Sequence, residues 1–380
     1  MAILPLTSLL SIALAALPVY GGSQAWESSV KFALTESMAY QAALKDGNTT
    51  SSSHSNSKRY LTIQPGSGNA DNHLWPNGVV TYCFEDKTWP EREGKTTKEI
   101  VFGDLATARD RWYLEGVPES FRWHEASEAT CKDPKMRSEF LLIMFNLEGK
   151  LATTAGVPPK DSDNVGPRML LSDSLSVGML NVVANYAHEM GHAWGMHHEH
   201  QNQKFWGAPY SEAGGKFFGQ GNFNCQNLKD YDDFRQKLKE KGFPQYDIER
   251  ITKDVCTSRS EAIEWKFSAQ DYLPIVNEPV LASKKKEPDW ESIMIYPSGA
   301  GGKGSAAPGM DNRLPILKKP DGNPIPINLT PSERDVNGLK KLYGYNPKTK
   351  WTALGDKASE YKKKFDDMRR SDKDSGCSKQ

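Results

Sequence analysis

The chain has 380 residues, and 48 Lys and Arg balance 48 Asp and Glu, so the formal net charge is zero. That balance excludes the basic footprint of a nucleic-acid binder. With 25% charged residues, 10% aromatics and a mean hydropathy of −0.64, the composition describes a soluble globular protein with a core, not a disordered chain. Five cysteines are too few for a disulfide-built mini-scaffold, and an odd number leaves at least one thiol free or paired outside the chain.

Residues 3–19 are almost wholly apolar, and Ser23-Gln24-Ala25 puts small residues at the −3 and −1 positions of a cleavage site. The run is short for a membrane span, so residues 1–25 read as a secretory signal peptide. The mature protein is then expected to be extracellular, with no membrane contact once the signal is removed. Secretion permits disulfides. Cys225 with Cys256 and Cys83 with Cys131 are the expected pairs and Cys377 the odd one, although spacing alone does not fix connectivity. Asn48-Thr49-Thr50 and Asn328-Leu329-Thr330 are glycosylation sequons. A Ser/Thr/Asn run over 48–57 ends in Lys58-Arg59. Residues 26–59 therefore read as a pro-segment and linker cut after Arg59, with a plain solvated linker as the alternative.

The next stretch, 60–350, reads as one domain. A turn at 74–78 launches a β-rich run at 79–84. Thr96-Thr97-Lys98-Glu99 matches a capping box and opens a helix reaching about Glu115. Short strands are expected at 121–125 and 168–171. Residues 139–146 are nearly continuously apolar and suit a strand buried on both faces. Residues 151–155 are a candidate edge strand, with a surface loop equally open. A helix is expected over about 176–194, and a charged helix-like run over 230–241. Thr330-Pro331-Ser332-Glu333 carries a capping signature with Pro at the first helical position. Val336, Leu339 and Leu342 then form an apolar face, and Gly344 stops the helix. From Trp351 to the end the chain is a charged tail.

Five of the eight histidines fall between positions 188 and 200. His188 and His192, four apart on a helix, share one face and can grip one ion. Gly195 can take a positive φ and break the helix, so the chain can turn and bring His198 to the same ion. Three neutral imidazoles suit one Zn²⁺ and leave a position for water, whose pKa the metal lowers to about 7. Glu189, next to the first ligand, can take that water's proton and later deliver it to a leaving amine. His197 and His200 fall outside the ligand register.

The stretch from His188 to Glu199 resembles the metzincin zinc signature, and a Glu directly after the third His is similar to the astacin branch. Ser292-Ile293-Met294-Ile295-Tyr296 resembles the astacin Met-turn, which sets a methionine beneath the zinc. The resemblance covers about residues 60–346 and is specific only in the zinc helix and the Met-turn. It implies a secreted zinc endopeptidase that acts on polypeptides. One zinc would sit on His188, His192 and His198, with Glu189 as general base. Tyr296 would be a further zinc ligand that swings to stabilise the oxyanion. The implied fold is α+β, with an upper lobe of twisted mixed β-sheet and active-site helix. Below it comes an irregular lower lobe with a C-terminal helix. Substrate would lie antiparallel to an edge strand, for which 151–155 is the candidate. In the family, Glu199 pairs with the mature N-terminus.

Several departures stand out. Met196 follows Gly195 where the family has Phe, and Asn202-Gln203-Lys204-Phe205 replaces Arg-x-Asp-Arg. The span from His198 to Met294 is longer than the family's and contains Cys225 and Cys256. Neither an aspartate switch nor a cysteine switch is visible before Tyr60. Two rival readings stay open. One is a non-peptidase zinc hydrolase acting on a small amide or ester; the other is an inactive secreted module that keeps zinc for stability. Glu189 argues against the second, since a structural site needs no base.

Overall fold

The computed structural model describes residues 27–28, 61–64, 73–158, 166–207, 217–219, 221–276, 280–282, 287–307 and 309–345. The apolar leader, the Asn48 sequon, Lys58-Arg59, Cys377 and the charged tail lie outside the described residues. In chain order come β1 (Glu27–Ser28), β2 (Leu61–Ile63), β3 (Val80–Phe84), β4 (Thr88–Trp89), β5 (Lys95–Thr96) and helix α1 (Thr97–Leu114). Next are β6 (Trp123–Glu125), α2 (Glu128–Lys132), β7 (Leu141–Phe145), β8 (Leu151–Thr153), β9 (Arg168–Leu171) and α3 (Val182–Ala193). Helices α4 (Tyr231–Glu240), α5 (Gln245–Val255) and α6 (Arg259–Glu264) follow. Strands β10 (Val280–Ala282), β11 (Ala306–Ala307) and β12 (Met310–Asp311) and helix α7 (Glu333–Leu342) complete the described chain.

The main sheet runs β1-β8-β9-β7-β3-β6. Strand β3 is parallel to β6 and β7, and β7 is parallel to β9, while β8 is antiparallel to β9. The fold is therefore mixed α and β, as expected, with a mixed sheet. Helices α1 and α3 pack on each other and both contact the sheet. They bury one face of β7: Leu141, Ile143 and Phe145 are buried, and Leu142 and Met144 are half-buried. The apolar run at 139–146 thus has one deep face and one shallow face, not two deep ones. Cys83 alternates to the side of β3 opposite Val80 and Tyr82 and bonds to Cys131 in α2.

Local sequence explains the helix starts. Thr96 caps α1: its side chain accepts from the Glu99 amide, and its own amide donates to Glu99 Oε2 at 2.7 Å. Helix α3 is shorter than its apolar pattern suggests. Asn181 caps it by accepting from the Ala184 amide, and Gly178 and Leu180 just upstream have φ of 56° and 53°. That left-handed backbone cannot continue a right-handed helix. The last helix also starts later than expected. Its capping box is Ser332 with Asp335, and Pro331 precedes the cap instead of occupying the first helical position. Asp335 also binds residues 292–293, and that tertiary contact selects the register.

Three tryptophans lock the end of α3. The indole N–H groups of Trp112 and Trp75 donate to the Ala187 and Ala193 carbonyls, both at 2.9 Å. Trp194 donates to the Gly78 carbonyl and packs edge-on against Trp112 and Trp123. Each buried ring keeps its polar handle satisfied, so its apolar area stabilises at roughly 25 cal/mol per Å².

A small antiparallel pair, β2 with β10, has no counterpart in the sequence reading. Beyond α3, the helices α4, α5 and α6 pack on one another in sequence. Cys225, in a short turn, bonds to Cys256 at the end of α5, so both expected disulfides are present. Among the described residues no helix is long and apolar enough to cross a membrane.

Candidate metal centre

Helix α3 sets His188 and His192 one turn apart on a buried face, with ring centroids 4.9 Å apart. The helix then breaks where expected. Gly195 has φ of 100°, and the Met196 amide donates to the Gly191 carbonyl at 3.0 Å. A Cβ at Gly195 would lie 3.0 Å from Ile63, so both conformation and packing call for glycine here. The chain then pairs with β2: the Ile63 amide donates to Gly195 O and the His197 amide to Leu61 O. One residue later His198 points back, its ring 4.6 Å from His192 and 5.4 Å from His188. One ligand atom from each of the three rings lies within 4.8 Å of the others.

The ring tautomers follow from hydrogen-bond chemistry. His188 Nδ1 faces the Ile293 carbonyl at 2.5 Å, and His192 Nδ1 faces the Met196 carbonyl at 2.7 Å. His198 Nδ1 faces Gln201 Oε1 at 2.8 Å. An acceptor oxygen cannot donate, so each Nδ1 carries the proton, and the lone pair of each neutral ring sits on Nε2. The Nε2 atoms of His192 and His198 are 3.1 Å apart. Two lone pairs at that distance repel unless a cation lies between them. Tetrahedral zinc with ligand bonds of about 2.0–2.1 Å would separate two nitrogens by about 3.3 Å. The donor set therefore fits Zn²⁺.

Glu189 is fully buried and accepts a 2.5 Å hydrogen bond at Oε2 from Thr153 Oγ1 of β8. The expected base is thus gripped by the candidate edge strand. The edge-strand expectation needs correcting: on its other side β8 pairs in parallel with β1, Glu27 opposite Leu151 and Ser28 opposite Ala152, so among the described residues β8 is flanked on both sides and β1 is the edge.

Residues 292–296 form the turn below the helix. Ser292 Oγ donates to Asp335 Oδ1 at 2.6 Å, and the Ile293 amide donates to Asp335 Oδ2 at 2.9 Å. Burial pushes the Asp335 carboxyl up to about 6, opposed by the bonds from Ser292 and Ser332. Met294 packs against α3, where a Cβ on Gly191 would meet its Sδ at 2.5 Å. Tyr296 is buried beside the cluster, its ring 4.4 Å from that of His198. Its amide donates to His200 Nδ1 at 3.4 Å, while His200 Nε2 lies 3.0 Å from the Asp271 carbonyl. His197 and His200 stay outside the ligand set, as their register implies.

Glu199 is buried and accepts from the Asp289 amide at 3.1 Å. Burial, aided by the nearby Asp289 and Asp335 carboxylates and opposed by that amide, pushes its own carboxyl up to about 8. Its expected partner, Tyr60, lies outside the described residues.

Sequence reasoning missed Thr153, Gln201 and Asp335 as supporting groups. Only Asp335 left a signal, as the fourth residue of Ser332-x-x-Asp335. Asn328 of the second sequon is engaged in the fold. Its side-chain amide donates to the Trp290 and Ser292 carbonyls, at 3.0 and 2.9 Å, so both amide hydrogens already serve the turn.

No family model matches the chain, and no curated protein matches it. Among solved structures it is similar to High choriolytic enzyme 1, a hatching enzyme zinc-protease from Oryzias latipes (Medaka fish). Identity is 14%, covering 75% of this chain and 100% of that one, with a TM-score of 0.40. The functional reading rests on the geometry of the site.

Proposed function

We propose that the chain is a secreted zinc endopeptidase of the astacin-like metzincin kind, made with a signal peptide and an inhibitory pro-segment. The observation that carries this reading is the convergence of three buried imidazoles, with the buried Glu189 carboxylate on the helix that carries two of them. A zinc ion held by His188, His192 and His198 would supply Lewis acidity and lower the pKa of a water toward 7. Glu189 takes the proton from that water and passes it to the departing amine nitrogen. Thr153 keeps the Glu189 carboxylate oriented throughout. Tyr296, whose ring lies against that of His198, would stabilise the oxyanion that develops at the scissile carbonyl. An extended peptide would pair along β8 only after Glu27 and Ser28, which lie parallel to that strand here, have left with the pro-segment.

The test pairs metal analysis of the secreted protein with casein digestion. One zinc per chain is expected, with digestion lost to a chelator and restored by zinc. Glu189→Ala should keep its zinc and digest nothing; digestion at the wild-type rate by that variant would show the mechanism to be wrong. Hydrolysis of small esters without casein digestion would favour the non-peptidase reading.

A further inference from the structure

Two of the three imidazoles lean on main-chain carbonyls, those of Ile293 and Met196. His198 differs, because its Nδ1 faces a side chain, that of Gln201. Gln201 ends the short 3-10 turn at Glu199–Gln201 and is itself buried. Its Nε2 donates to the Gln270 carbonyl at 3.2 Å and to the Leu273 carbonyl at 3.3 Å. Those two acceptors decide which way the amide points. Reversed, the amide would press its oxygen against two carbonyl oxygens in a dry interior. The Oε1 atom must therefore face His198, which forces the proton onto Nδ1 and the lone pair onto Nε2.

The two carbonyls belong to the segment just after α6, around the 3-10 turn at Ser268–Asp271. Arg259 of α6 donates its Nε to the same Gln270 carbonyl at 2.8 Å. The Gln201 carbonyl in turn accepts from the Ile275 amide at 2.9 Å. A continuous line of hydrogen bonds thus runs from α6 through Gln201 to the third ring.

We propose that Gln201 is a positioning residue for the third zinc ligand, and that the 231–275 segment, the three helices together with the turn that follows them, serves to hold it. This rests on the zinc reading above. The metal contact of His198 is then specified by a side chain, and a substitution can reach it.

Two substitutions separate positioning from packing. Gln201→Met removes the acceptor for His198 and the amide donor of both carbonyls, of which that of Gln270 keeps Arg259 Nε. Gln201→Glu keeps an acceptor for His198 but sets a carboxylate against the same carbonyls. Zinc dissociation constants are measured on the full secreted chain by competition with a chromophoric chelator, alongside thermal unfolding of the metal-free protein. The expected orders are opposite. The Glu variant should be the less stable yet bind zinc within about threefold of wild type, whereas the Met variant should bind roughly 10- to 100-fold more weakly. Zinc affinity that instead follows stability, or that is unchanged in the Met variant, overturns the assignment. Wild-type protein that takes up no zinc overturns the zinc reading itself, and this assignment with it. If neither variant folds, a crystal structure of zinc-loaded wild type decides. His198 should ligate through Nε2 with Gln201 Oε1 on Nδ1; ligation through Nδ1, or a Gln201 amide turned away, overturns the proposal.

Discussion

The two halves of the metal centre are built by different means. His188, His192 and Glu189 are carried by α3, a regular helix packed against both α1 and the sheet. Their spacing is the spacing of a helix, and the backbone ladder holds it. The 287–328 half has few regular elements; side chains bonded to the backbone do the same work there. Asp335 ties down Ser292 and Ile293, and Asn328 holds the carbonyls of Trp290 and Ser292. Ser298 bonds to the Leu317 carbonyl and accepts the Ile325 amide. A helix spreads its stability over many equivalent bonds. The turn concentrates its stability in a few particular atoms, so single substitutions should hurt the second half more.

The sharpest test of that contrast is Asp335→Ala. It orphans the Ile293 and Ser332 amides and removes the acceptor of Ser292 Oγ. At about 1–3 kcal/mol per unsatisfied buried group, a loss of roughly 3–5 kcal/mol is expected in denaturant unfolding, with weakened zinc retention. Asp335→Asn still offers an oxygen to both amides and should cost far less. Equal effects would mean that packing, not hydrogen bonding, holds the turn.

Replacing Cys225 and Cys256 by Ser should cost about 2–4 kcal/mol, since the bridge spans 31 residues. The α4–α6 segment should open first in hydrogen exchange while α3 stays protected. Uniform loss of protection would show α3 and the α4–α6 segment to be one cooperative unit.

Gly191→Ala probes the contact between the halves. Helix propensity favours Ala by up to about 1 kcal/mol, but the new Cβ meets Met294. Overpacking should win, with a net loss of about 1–2 kcal/mol. Combining it with Met294→Ala should relieve that clash in a double-mutant cycle; simple additivity would place the contact elsewhere.

Asn328 gives the smallest effect. Asn328→Ala should cost about 1–2 kcal/mol, and peptide mass spectrometry should find Asn328 without glycan. A fully occupied sequon would mean that the turn does not need this amide.

Much of the α3 half was legible in the sequence, and little of the turn half was. The His188-x-x-x-His192 spacing, Gly195 and the alternation in β3 are periodic or conformational signals that a single chain displays. The positions of Thr153, Gln201 and Asp335 depend on partners 36, 3 and 43 residues away, and local pattern marks only Asp335, as a helix cap and not as a support of the turn. The expected helix start at residue 176 failed for a related reason. Apolar residues at 177–180 have helical spacing, but left-handed backbone at Gly178 and Leu180 turns them into a lead-in loop. Likewise the capping register at 330–335 was set by the bond from Asp335 to residues 292–293, which the Thr330-Pro331-Ser332-Glu333 pattern cannot reveal.

The bond from Thr153 to Glu189 joins two tasks that other designs could keep apart. The strand proposed to receive a peptide backbone also grips the group that would move the proton. Docking and alignment then become a single mechanical event. A peptide too short to lie along that strand would forfeit turnover as well as grip, so trimming a substrate from its ends should depress kcat and not merely raise KM.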